Sequence, residues 1–261
     1  MRIAAVQHDI IWEDAAATRA HLEPWVARAA ATGADLVSLT EMFATGFSMA
    51  TERTAEPPDG PTTSWMVEQA AAHGVWLAGS VPERPPGADR PSNTLRLVAP
   101  DGAVHRYAKI HPFSYGGETD HFAPGSATLT VEIAGLRVTP FVCYDLRFAD
   151  VFWDAARDTD AYLVVANWPA SRRDHWRALL DARAIENQAY VVGVNRIGAG
   201  GNGLDYAGDS RILAPGGEVL ATAARDETLL LADLDPAEVR QVRDAFPFLR
   251  DRRDRATHAD Q

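Results

Sequence analysis

A single cysteine, Cys143, occurs in the 261 residues, in FVCYDLRF, where an apolar run gives way to polar residues. One cysteine makes neither an internal disulfide nor a thiolate metal cluster, which leaves a small buried apolar residue, an interchain thiol or a nucleophile. The apolar stretch ends at Cys143, so the thiol belongs where a strand leaves its sheet and turns toward a helix. Helix-terminal N–H groups and a nearby cation would activate a thiol there, whereas a mid-strand cysteine would be inert. A thiol nucleophile needs a base and a stabiliser for the developing oxyanion. Two other titratable residues leave apolar strands in the same way. Glu41 ends ADLVSLTE, where a carboxylate is costly to bury unless it is used or paired. Lys109 leaves the alternating segment VHRYAKI in a chain whose basic residues are mostly arginine, an exposed edge lysine being the ordinary alternative. His8, His21, His73, His105, His111, His121, His175 and His258 are scattered and show no HExxH or paired metal spacing, so no metal and no other cofactor is expected. His111 and His121 are the two that could approach a site, each also readable as a loop hydrogen-bonder.

The elements that must carry these residues alternate. Apolar runs of strand length, among them IAAVQHDI, ADLVSLTE, VWLAGSV, RVTPFVCYD, AYLVVAN and YVVGVNRI, are separated by turns or by helix-length segments at 14–32, 62–73, 149–158 and 174–188. This is an α/β pattern of βαβ units. LVAPDGAV at 97–104 and ILAPGGEV at 212–219 share an apolar run, Ala-Pro, a glycine turn and a return strand, and each follows a helix and a strand. The chain therefore reads as two related halves, with two sheets sandwiched between helix layers. Residues 1–245 are expected to form one domain, and the charged segment 246–261 a solvated tail. A net charge of -11 argues against partners that need clustered lysine and arginine, so neither nucleic acid nor anionic membrane is expected. The chain opens directly into a strand and has no long uncharged apolar run, so a cytoplasmic location is expected.

LTEMFATGF, YAKIHPF and VCYDLRF, in this order, resemble the three catalytic segments of the nitrilase superfamily of carbon–nitrogen hydrolases. The resemblance continues through NWPASRRDHWRALLDARAIENQAYVVGVNRIG and YAGDSRILAPGGEV, covering the chain to about Asp235. It implies a four-layer α-β-β-α sandwich with two pseudo-two-fold related halves, assembled as homodimers or larger homo-oligomers. It also implies Glu41 as general base, Lys109 as the cation that stabilises the tetrahedral intermediate, Cys143 as nucleophile and Glu118 as a second glutamate after the lysine. The expected reaction is hydrolysis of a small-molecule amide through a cysteine thioester, with the backbone N–H of Tyr144 joining Lys109 at the oxyanion.

Within the superfamily, EMFATGF, CYDLRF, NWPASR and RAIENQAYV are most similar to the omega-amidase branch, which hydrolyses 2-oxoglutaramate and 2-oxosuccinamate. The chain departs from the usual pattern at Thr40, where a proline often precedes the glutamate, and in HPFSYGGETDHF, which carries Glu118. Phe43, Phe47, Tyr144 and Trp168 are candidate walls of a substrate pocket, with ordinary core packing as the alternative for each. Arg147 and Arg172 could bind a substrate carboxylate, or Arg147 could brace Asp145 or Glu41. Rival readings keep the triad with an N-carbamoyl amino acid or deaminated glutathione as substrate, keep the fold as a non-catalytic regulatory subunit, or replace both with a Cys-His hydrolase of unrelated fold.

Overall fold

The computed structural model describes residues 1–253. In the first half, β1 (Arg2–Gln7) leads through α1 (Ala15–Ala31) to β2 (Leu36–Ser38). The chain then passes a short α2 (Thr51–Thr54) and α3 (Pro61–His73) to β3 (Trp76–Glu83), β4 (Ser92–Val98) and β5 (Val104–Ala108). After α4 (Glu118–His121) and β6 (Val131–Ile133) the plan repeats as β7 (Leu136–Val142), α5 (Ala149–Ala155), β8 (Ala161–Ala166), α6 (Arg173–Asn187) and β9 (Tyr190–Asn195). A short β10 (Ile197–Ala199) precedes the hairpin of β11 (Asp205–Leu213) and β12 (Val219–Ala224), and β13 (Thr228–Asp233) and α7 (Pro236–Ala245) follow.

The two sheets have the same plan. β1, β2 and β3 are parallel and continue antiparallel into β4 and β5; β7, β8 and β9 are parallel and continue antiparallel into β11 and β12. Each parallel block has an antiparallel strand on its outer side, β13 beside β1 and β6 beside β7. The two Ala-Pro turns match atom for atom. Gly102 N–H donates to Ala99 O and Ala99 N–H to Ala103 O, while Gly217 N–H donates to Ala214 O and Ala214 N–H to Glu218 O. Both turns end on a glycine at positive φ, 89° and 98°, which a side chain would strain.

Period-two alternation in β1 divides the core. Ile3 and Ala5 face the second sheet and share a cluster with Val138 and Phe141, whereas Ala4 and Val6 pack with Leu22 and Val26 of α1. Phe152 of α5 and Trp176 and Leu180 of α6 cover the other side of the second sheet. The layers are thus helix, sheet, sheet, helix. β8 is buried at all six positions, which accounts for its unbroken apolar sequence AYLVVA.

Two expectations need correction at the C-terminal end. Residues 236–245 form a helix beyond the four expected, and its signal is in the sequence: the Asp235 side chain accepts from Ala237 N–H and Pro236 opens the first turn. The segment from 246 onward is not wholly solvated, because Phe248–Asp251 forms a 3-10 turn and the Arg252 guanidinium lies 4.4 Å from the Trp153 ring centroid. The contact that holds the segment is that of the guanidinium over the indole face. Residues 254–261 of that expected tail lie outside the described residues.

Candidate active site

Four segments converge at the ends of strands. Glu41 follows β2, Lys109 follows β5, Cys143 follows β7 and Asn167 follows β8. Glu41, Lys109 and Glu118 are fully or almost fully buried, and Lys109 is the sole lysine of the sequence. Its ammonium donates to Glu41 Oε1 at 2.9 Å and to Glu118 Oε2 at 2.7 Å. Burial opposes the charged ammonium, but the carboxylates of Glu118 and Glu41 outweigh it and raise the Lys109 pKa above its ordinary value. Burial raises the pKa of Glu118, Lys109 works against that rise, and Glu41 adds to it.

Asparagines that sequence reasoning missed complete the cluster. Asn93 Nδ2 donates to Glu41 Oε1 at 2.8 Å and to Glu118 Oε1 at 3.1 Å, while its own Oδ1 accepts from Ser80 Oγ. Asn167 N–H donates to Glu41 Oε2 at 2.7 Å, and Asn167 Nδ2 donates to the Glu41 carbonyl at 2.6 Å. That carbonyl only accepts, so the orientation of the Asn167 carboxamide is settled and its buried Oδ1 is left without a partner among the described residues. The available signals were a polar residue within an apolar strand for Asn93 and a strand end for Asn167.

Cys143 opens a 3-10 turn, Cys143–Arg147, with φ of 45°, a left-handed conformation uncommon for a residue with a side chain. It is half-buried at the floor of a cavity of about 320 Å³. Burial raises its thiol pKa well above the ordinary value; Glu41 raises it further and Lys109 works against that. The resting thiol is therefore neutral and sits beside a carboxylate that can take its proton.

The cavity wall includes the aromatic side chains of Phe47, Phe113, Tyr144, Trp168 and Tyr206, and it carries Arg147 and Arg172. The Arg147 guanidinium lies 4.7 Å from the Trp168 ring centroid and its Nη2 is 3.3 Å from His175 Nδ1, so it braces neither Asp145 nor Glu41. Arg172 lies 5.5 Å from the Phe113 ring centroid. Neither arginine pairs with a carboxylate among the described residues.

Phe43 is not a wall residue. It is fully buried in the helix-facing core against Trp65, and its ring fills the space above Gly79, where a Cβ would lie 2.7 Å from Phe43 Cδ1. No histidine lines the cavity, so a Cys-His pairing has no support among the described residues. Thr40 donates its hydroxyl to His8 Nε2 at 3.1 Å, because His8 Nδ1 must carry the proton given to Asp9 O at 2.7 Å. Among the described residues no group of three or more metal-ligating side chains is suited to an ion, and no helix is long and apolar enough to cross a membrane.

The chain is similar to known hydrolases in both sequence and architecture. Residues 2–244 match the carbon-nitrogen hydrolase family. The chain is 42% identical to the omega-amidase YafV of Escherichia coli (strain K12) over 252 residues, 96% of each chain. It is 34% identical to the 2-oxoglutaramate amidase of Bacillus subtilis (strain 168), covering 84% of this chain and 85% of that one. A solved CN-hydrolase superfamily protein from Xanthomonas campestris, bearing an arsenic adduct in its active site, superposes with a TM-score of 0.93 at 38% identity and 98% coverage of both chains. Sequence and architecture agree over nearly the full length, and the chain belongs to the carbon–nitrogen hydrolases of the nitrilase superfamily, in the omega-amidase-like branch, as a hydrolase of carbon–nitrogen bonds other than peptide bonds.

Proposed function

We propose that this amidohydrolase cleaves the terminal amide of small dicarboxylate monoamides, 2-oxoglutaramate or 2-oxosuccinamate, to the acid and ammonia through a thioester on Cys143. The observation that carries the substrate class is the pair of guanidiniums, Arg147 and Arg172, that share the cavity wall with Cys143 and lack a carboxylate partner among the described residues. An anion at the substrate end remote from the amide gives them one, and a guanidinium suits a carboxylate. Two relatives named for omega-amidase and 2-oxoglutaramate amidase activity support the same class.

In this reading Glu41 takes the Cys143 proton as the sulfur bonds to the amide carbon, and the carbonyl electron pair moves onto oxygen. Lys109, charged between Glu41 and Glu118, and the N–H of Tyr144 hold that oxyanion. The unpartnered Asn167 Oδ1 is an acceptor for an amide N–H, orienting the nitrogen toward Glu41. When the intermediate collapses, the C–N bond breaks and the proton from Glu41 goes to nitrogen, releasing ammonia. Water then attacks the thioester, Glu41 or Glu118 accepting its proton, and the acid leaves as the thiol is restored.

Ammonia release from a panel of charged and neutral small amides tests the reading, with Cys143→Ala as control. Turnover of 2-oxoglutaramate is expected in the wild type and none in the folded Cys143→Ala variant. Substantial activity in that variant removes Cys143 as nucleophile, and a preference for N-carbamoyl amino acids replaces the substrate class.

A further inference from the structure

The aspartate of VCYDLRF is fully buried, yet no step of the reaction uses it. Its carboxylate accepts four hydrogen bonds. Oδ2 accepts from Val142 N–H at 3.1 Å and from the Tyr107 hydroxyl at 2.8 Å. Oδ1 accepts from His111 N–H at 2.8 Å and from His111 Nδ1 at 2.9 Å. A carboxylate offers about four lone-pair sites, so each is occupied. Val142 precedes the thiol, and Tyr107 and His111 stand two residues before and two after Lys109.

We propose that Asp145 is a positioning residue for Cys143 and Lys109 together, a single carboxylate that ties the turn carrying the thiol to the strand end carrying the lysine. Capping of the 3-10 turn accounts for one bond, from Val142; the other three go to the lysine segment. A left-handed φ at Cys143 persists only where its surroundings over-determine it, and the tie supplies that constraint from the first sheet. The far end of the turn is held by the same segment, because the His111 ring stacks on Phe148 with centroids 3.8 Å apart and planes 10° apart. Cys143 and Lys109 come from different sheets, so nothing in the local chain sets their separation. Asp145 bridges the two sheets at that point.

The test uses the lone cysteine. The proposal rests on Cys143 being the nucleophile, but iodoacetamide alkylation of Cys143 is read without substrate, so failure of that reading shows separately as turnover by Cys143→Ala. In Asp145→Asn, checked for folding by melting temperature, kcat on any amide the wild type hydrolyses is expected to fall about a hundredfold, the scale of a reacting group displaced by about 1 Å. Its alkylation midpoint is expected to move to lower pH, because a displaced thiol escapes the burial that chiefly raises its pKa and the Glu41 and Glu118 carboxylates that add to it, against a smaller loss from Lys109, which lowers it. Tyr107→Phe removes one hydroxyl from the tie at unchanged shape and is expected to lower kcat about three- to tenfold. The double variant should be no worse than Asp145→Asn alone. Wild-type kcat and alkylation profiles in folded Asp145→Asn, or additive losses in the double variant, overturn the proposal. If Asp145→Asn does not fold, Tyr107→Phe decides alone, and a wild-type kcat in that variant overturns the proposal.

Discussion

Arg147 and Arg172 carry the substrate argument, and their surroundings state what each can do. Both guanidiniums lie over aromatic rings on the cavity wall, which holds them in place without neutralising them. A carboxylate entering a largely apolar cavity has to be desolvated, and losing one buried charged hydrogen bond costs about 2 to 5 kcal/mol. Arg147→Met and Arg172→Met are each expected to lower kcat/KM on 2-oxoglutaramate by about one to three orders of magnitude while leaving butyramide near its wild-type value. Initial rates on the two amides check this, and equal losses on both would assign the arginines to the fold. The types of the residues proposed to react were legible from sequence because glutamate, lysine and cysteine each stood at the end of an apolar strand. Asn93, Asn167 and Asp145 were not, since a polar side chain near a strand end reads as a turn until its partners are known.

At the scale of elements, the site depends on strand ends held at close quarters. Gly125 N–H donates to Lys109 O at 2.8 Å, and a Cβ on Gly125 would lie 2.1 Å from the Ala108 carbonyl oxygen. Gly125→Ala therefore has to push the end of β5 away, and a loss of about 1 to 3 kcal/mol in stability with a larger fractional loss of kcat is expected. Urea melts and steady-state rates check it. β1 and β2 are tied by His8 and Thr40, and burial lowers the His8 pKa from 6.5 to about 4, with Arg196 and His21 adding to this and the Asp9 carbonyl and Glu227 opposing it. Because the folded pKa lies below the unfolded one, the neutral-His8 contribution is complete above pH 6.5, falls as pH drops toward 4 and is absent below it. The loss amounts to about 3 kcal/mol. Urea melts from pH 7 to 4 are expected to show this decline in the wild type and a flatter profile in His8→Gln.

The whole molecule is two copies of one plan placed face to face, and the residues of the candidate site come from both. Glu41 and Lys109 belong to the first sheet, Cys143 and Asn167 to the second. No half could hold the site alone. On the outer surface, Ile185 of α6 and Val219 and Leu220 of β12 are 54%, 45% and 43% exposed, and Ile185 packs beside Gly217, the turn leading to those strand residues. Apolar surface of this kind fits the homo-oligomer that the resemblance implies. Light scattering is expected to give twice 28.3 kDa or more, and a mass of 28.3 kDa would remove the assembly from the account.

The sequence by itself determined the alternation of strands and helices, the duplication and the residues able to do chemistry, because each rests on local periodicity, on turn residues such as the Ala-Pro-X-Gly pair, or on a charged group placed where burial is expensive. Only the tertiary structure decided which way the side chains beyond the strand ends point. Met42 and Cys143, immediately after Glu41 and Val142, have φ of 40° and 45°, and such a residue breaks the two-residue alternation from which facing is read. Beyond those turns Phe43 falls into the helix-facing core while Tyr144 and Arg147 reach the cavity, and Asn167 finds Glu41, 126 residues away in sequence. Pairings at that separation leave no periodic trace in the chain; they exist because two sheets pack face to face and their strand ends meet.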